Sequence, residues 1–273
     1  MKYRPLAVTV PIRVEKCSVS SKIDELAMIR SGNPALNNNT FTRNLSYSEE
    51  NRMTLMGAVN KTAIMLFVLV LAASITWKMV LTGESNAGIY MWGGGIAGFI
   101  VAIVTVFKKN WAPFTAPLYA ALKGLFIGGI SAMFAAQFDG IVMQAAGLTF
   151  GILFALLAAY KSGLIKATEN FKLGVFAATG GICLFYLISI VLGLFGVNMG
   201  FLHDSSPLSI GISVFIVIIA SLNLVLDFDF IENGAEVGAP KYMEWYAAFG
   251  LMVTLIWLYI EILHLLAKLQ SRD

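Results

Sequence analysis

Histidine and cysteine are nearly absent, with two of each in 273 residues. Cys17 lies in a polar stretch and Cys183 in an apolar one, so neither a metal framework nor a disulfide between them is expected. This scarcity excludes an intramembrane zinc protease. No nucleophile–base pair, glycine-rich phosphate loop or catalytic triad is spaced for chemistry, so no enzyme activity and no cofactor are expected. Charge is scarce too, at 13% of residues against about 25% in soluble domains. Fourteen of the charged residues fall within residues 1–61. The net charge of +3 is small and mostly N-terminal, which argues against a nucleic-acid groove. A secretory signal is also missing. The apolar pieces between Pro5 and Val14 are short and broken by Pro11 and Arg13.

What the chain does have is apolar surface: 58% of residues are hydrophobic and the mean hydropathy is +0.77. That composition excludes a soluble enzyme and indicates a polytopic membrane protein whose first partner is the lipid bilayer. Residues 1–61 read as a polar, largely disordered cytoplasmic tail, with a run of turn formers from Ser31 to Asn39. The part before Ser31 offers nothing to bury and is expected to be dispensable, with Met28 an alternative start. Residues 62–273 form the expected transmembrane domain. Seven apolar runs, at 62–81, 88–107, 114–136, 140–160, 174–197, 208–230 and 243–268, are each near the roughly 20 residues that cross a bilayer core as a helix. They lack the alternation of a membrane barrel, so the fold class is all-α. The break at Phe138-Asp139-Gly140 is so short that the third and fourth runs are expected to form a tight antiparallel pair. Gly94/Gly98, Gly124/Gly128 and Gly147/Gly151 have the spacing that lets helices approach closely.

Basic residues near the span ends set the orientation. Arg43, Arg52, Lys61, Lys108, Lys109, Lys161, Lys166, Lys172 and Lys241 gather on one side; Lys78, Lys268 and Arg272 fall on the other. Nine against three places the N-terminus in the cytoplasm and the C-terminus outside.

An ionisable side chain inside a span costs at least roughly 2.5–3.5 kcal/mol on insertion scales and is a functional candidate by default. Glu261 is the clearest. Gly250, Thr254, Trp257, Glu261, His264 and Lys268 follow at steps of 4, 3, 4, 3 and 4, one stripe on a helix that is apolar elsewhere. The bland alternative is a salt bridge within the stripe, Glu261 with His264 or Lys268. Asp227 and Asp229 close the sixth run but point about 200° apart; Asp229 and Glu232 read as a solvated helix end. Lys123 falls near mid-bilayer. It either pairs with Glu261 or Asp227 or stays neutral. His264 is a candidate for titration near neutral pH, although a packed histidine is the commoner case, and His203 carries no assignment. Carboxylate and carbonyl oxygens suit a hard cation such as calcium.

The sixth and seventh runs resemble the Bax inhibitor family, the transmembrane Bax inhibitor motif proteins. The likeness rests on Asp227 with Ile231 and on Leu258-Tyr259-Ile260-Glu261-Ile262-Leu263-His264-Leu265-Leu266. From Ser31 onward the chain is similar to the bacterial branch. The matching pieces are Ser31–Leu36, Asn60-Lys61-Thr62, Trp111-Ala112-Pro113, Thr115–Tyr119, Asp227–Glu232 and Glu244–Leu251. The resemblance implies a seven-helix bundle with the C-terminal helix at its centre. It further implies a pH-sensitive calcium leak or proton-linked cation transport, in which Asp227 and Glu261 share protons and gate the pore. Glu261 stands where the pattern has Asp, the stretch between the two acids is longer, and residues 88–107 lack the arginine latch of some members. If the sixth helix stops at Phe230, Asp227 lies near the cytoplasmic face, while Glu261 is about 27 Å along the seventh helix. The acids then meet only if the sixth helix continues past Glu232 or the seventh projects into the cytoplasm. The competing expectation, drawn from other bacterial relatives, is a non-transporting regulator. It would act through a membrane protein partner such as a protease or stress-response component, with the tail and Lys161–Lys172 as contact surfaces.

Overall fold

In hydrocarbon, every backbone polar group must be satisfied within the chain, and long apolar runs therefore become helices. The computed structural model describes residues 51–196 and 206–272. Among these, seven helices are long and apolar enough to cross a membrane: α1 Leu55–Leu81, α2 Ala87–Phe107, α3 Ala112–Ala135, α4 Ile141–Lys161, α5 Glu169–Leu194, α6 Pro207–Glu236 and α7 Met243–Gln270. A single 3₁₀ turn, Lys109–Trp111, joins α2 to α3. No strand occurs among the described residues. The chain is an all-helical, multi-pass membrane protein. Cys17, His203, the Ser31–Leu36 motif and most of the expected tail lie outside the described residues.

α1 and α6 extend more than a full turn beyond their apolar runs at one end. α1 starts at Leu55 because Thr54 caps it, its Oγ1 accepting the Gly57 N–H at 2.9 Å. α6 continues to Glu236, where Gly238 at φ +68° turns the chain. Its charged last turns find partners on other helices, so hydropathy alone cuts it short. The sixth helix thus runs past Glu232, one of the two conditions expected for Asp227 and Glu261 to meet.

The ends alternate as seven spans require. At the end where α1 begins, Met53 N–H donates to Ala239 O at 2.6 Å and Lys241 N–H donates to Asn51 O at 2.9 Å. Lys109 sits over the Tyr246 ring at 5.6 Å, Lys61 over Trp245 at 4.9 Å, and Tyr160 bonds Glu232. At the other end, Gln270 Nε2 donates to Gln144 Oε1 at 3.2 Å.

The bundle is organised around α7. Sixty-one per cent of its most apolar stretch is buried, against 11% for α5. It packs on α1, α3, α4 and α6. Tyr119 of α3 meets Phe249 edge-on at 4.9 Å. The C-terminal helix is thus central, as the resemblance implies.

Glycine decides how α1, α2 and α3 meet. A Cβ at Gly128 would collide with the Ala73 carbonyl, one at Gly124 with the Leu69 carbonyl, and one at Gly94 would approach Leu122 O at 2.6 Å. Gly147 and Gly151 have open space beside them, so the third spacing motif makes no close helix contact. The expected tight pair of α3 and α4 does not form either. Their short connection ties only their ends, while α3 gives its small-residue faces to α1 and α2 and α7 packs against both α3 and α4.

Candidate functional site

Three helices bring polar stripes to one seam. On α5 the residues are Lys172, Thr179 and Tyr186, seven apart and therefore on one face. On α6 they are Ser213, Asn223 and Asp227, with Asp229 turned about 200° from Asp227 onto Lys172 of α5. On α7 they are Thr254, Trp257, Glu261 and Lys268. The bonds between the helices run along the whole seam. Lys172 Nζ pairs with Asp229 Oδ2 at 3.0 Å and with Glu169 Oε1 at 3.3 Å. Asn223 Nδ2 donates to Thr179 Oγ1 at 2.8 Å. Tyr186 Oη donates to Glu261 Oε1 at 2.8 Å, and Lys268 Nζ donates to Ser213 Oγ at 2.8 Å. From Lys172 to Tyr186 is about 21 Å of helix, most of the roughly 30 Å hydrocarbon core.

Glu261 is 6% exposed at the middle of this seam. Besides Tyr186, it accepts the Trp257 indole N–H at 3.1 Å. Both donors are neutral. The carboxylate therefore sits in a low-dielectric site with hydrogen bonds but, among the described residues, with no cation in direct contact, since Lys268 reaches for Ser213 one level further on. His264 departs from the stripe. It is exposed and packs edge-on to Phe134 of α3 at 5.4 Å.

Asp227 is fully buried on α6. The helix ends and the Lys268–Ser213 bond both set the antiparallel register of α6 and α7. Asp227 is level with Met252–Thr254, and Glu261 with Ile218–Ala220. The two acids are therefore separated by about 10–13 Å along the axis. They occupy one seam, but not one proton-sharing pair as the resemblance implies. Asp227 lies 9 residues before the end of α6 and Glu261 lies 18 residues past the start of α7, and that difference sets the offset.

Asp229 and Glu232, expected as a solvated helix end, are held by Lys172 and by Tyr160. Lys123 is remote from both acids. It lies half-buried against Gly98 of α2, with its ammonium 5.2 Å from the Phe126 ring centroid, and pairs with no carboxylate among the described residues. Its helix face turns toward α2 and away from α7, so it is not the partner of Glu261 or Asp227.

A cavity of about 360 Å³ lies between α1, α3, α4 and α7. It meets α7 at Met252, Leu255, Ile256 and Tyr259, the face opposite the seam. The Ser131 and Tyr259 hydroxyls there bond each other at 2.6 Å. The remaining lining is almost wholly apolar and offers a charged species nothing.

Sequence reasoning missed Thr179, Tyr186 and Asn223 as site residues, and counted Lys172 only as a flanking charge. The seven-residue spacing on α5 was the available signal. It also passed over Glu244, which is 2% exposed. Its Oε1 accepts from Thr54 N–H at 3.1 Å and from Thr54 Oγ1 at 3.0 Å, clasping the start of α7 to the start of α1. Gly57 makes room, because a Cβ there would overlap the carboxylate.

No curated protein matches the chain. The family model described as Bax inhibitor 1 like matches residues 33–271, nearly the whole chain, and the protein belongs to that family.

Proposed function

We propose that this protein is a pH-sensitive membrane leak channel for cations, calcium foremost, or a proton-linked cation transporter, with Asp227 and Glu261 as its ion- and proton-binding groups. One observation carries the reading. Glu261 is buried about two-thirds of the way along the central helix, its hydrogen bonds among the described residues coming from a phenol and an indole, on a seam of polar groups that runs between α5, α6 and α7. A protein acting only through surface contacts has no use for such a group. The two acids act in series, about 10–13 Å apart, and the proton or cation passes from one level to the other. The nine-to-three distribution of basic residues supports an N-terminus in the cytoplasm, and the resemblance to the bacterial branch supports the cell (inner) membrane as its location.

The pH response follows from the bond to α5. An ionised carboxylate holds the Tyr186 hydroxyl by a charge-assisted bond, roughly twice as strong as the neutral one. Protonating Glu261 weakens this tether and removes the negative charge from the seam. Glu261→Gln reproduces the protonated state. Its calcium flux in proteoliposomes is expected to stay at the wild-type low-pH level at every pH. Asp227→Asn is expected to flatten the pH profile as well, while Lys123→Met leaves it intact. Wild-type protein that reconstitutes fully folded but carries no cation at any pH would overturn the transport reading in favour of a regulator working through a membrane partner.

A further inference from the structure

Asn223 presents a buried acceptor that the hydrogen bonds of the bundle leave over. The residue is 2% exposed. Its Nδ2 donates twice, to Thr179 Oγ1 at 2.8 Å and to the Ile219 carbonyl at 2.9 Å. A carbonyl oxygen accepts only, so the nitrogen must face Ile219 and the amide cannot be flipped. That leaves Oδ1 enclosed and without a hydrogen-bond partner among the described residues. A buried polar atom with nothing to bond is rare and calls for a reason.

Its position supplies the reason. Asn223 is one turn from Asp227 on the same face of α6. Side chains on a helix lean toward its N-terminus, and the bond back to Ile219 shows this one doing so. The lean is away from Asp227 and toward Ile218–Ala220, the level of Glu261. Asn223 thus stands about 6 Å from Asp227 along the axis, between the levels of the two acids.

We infer that Asn223 Oδ1 is an intermediate station for a divalent cation such as calcium, a neutral oxygen ligand that bridges the gap between Asp227 and Glu261. Hard cations of this kind accept Asn carbonyls together with carboxylates as ligands. The station rests on the transport reading for its role, while cation binding at Asn223 stands apart from it.

The experiment uses the full chain, with calcium flux in proteoliposomes and terbium luminescence in detergent, calcium competing for the terbium. Asn223→Leu is expected to cut calcium flux and weaken calcium competition, each on the order of tenfold. Asn223→Asp keeps an oxygen at the same place and is expected to retain both. Thr179→Val removes the amide's partner on α5 but spares Oδ1, and is expected to stay close to wild type. The station is overturned if Asn223→Leu leaves flux and competition unchanged. It is also overturned if Thr179→Val falls as far as Asn223→Leu, since the amide then serves only to hold α5. If wild type binds terbium but carries no flux, the transport reading fails alone, and competition in Asn223→Leu still decides the station.

Discussion

α7 and α5 are both apolar spans of similar length, but the bundle holds them by different physics. α7 is surrounded. Its Tyr246, Phe249, Met252, Leu258 and Ile262 are essentially inaccessible, and its first turn is fastened to α1 through Glu244 and the strand-like pairing of Arg52 with Pro240. α5 touches α6 through little more than the small cluster of Ile182 with Ile216 and Ile219. The rest of its attachment is polar: Lys172 to Asp229, Thr179 to Asn223, Tyr186 to Glu261. Close packing resists small displacement because many weak contacts are lost together. A few hydrogen bonds in a seam can be exchanged for bonds to water or to a cation. The loosely packed helix is the wall of the seam that can give way, and the central helix is the fixed one.

Glycine substitutions give this contrast its largest test. Gly128→Val drives a side chain into the Ala73 carbonyl and is expected to cost on the order of 3 kcal/mol or to prevent folding. Gly181→Val on α5 meets nothing within 4 Å and should leave the melting temperature in detergent nearly unchanged. Equal losses would remove the distinction. Next in size is the clasp. Glu244→Ala strips Thr54 of the acceptor for both its N–H and its hydroxyl, at about 2 kcal/mol. The resulting drop in Tm should be accompanied by faster hydrogen exchange at the starts of both α1 and α7.

Lys172→Met should act locally. Asp229 keeps 15% of its side-chain surface accessible, so water partly replaces the lost ammonium and about 1–2 kcal/mol is at stake. Exchange should accelerate along α5 and leave α7 alone. Spread into α7 would show that α5 is not separately tethered. Tyr186→Phe removes a single donor, worth about 1 kcal/mol. It should barely shift Tm yet reduce the pH dependence of flux, because the tether that answers to Glu261 is gone. An unaltered pH profile would move the switch away from that bond.

Much of this was legible in the residues. Seven apolar runs, the polar stripe through Thr254, Trp257, Glu261 and Lys268, and the acids at the end of the sixth run could be read directly, because helical periodicity and the cost of charge in lipid are local properties. The α5 stripe was equally local but was overlooked, since Thr and Tyr in a span carry no charge to attract notice. Spacing could not say which glycine pairs would be used. Gly124 and Gly128 oppose α1 carbonyls, whereas Gly147 and Gly151 oppose nothing, and only the partner helix separates the two cases.

The sequence by itself determined the all-helical membrane fold and the number of spans, because a helix in hydrocarbon satisfies its own backbone and an apolar run long enough to cross the bilayer is a local property. Tertiary structure decided the partners. It alone offset Asp227 from Glu261, turned Lys123 toward α2, gave Glu261 to Tyr186 and joined Glu244 to Thr54 across 190 residues. Those outcomes depend on helix register and on which faces small residues allow to meet, and neither is a property of any one segment.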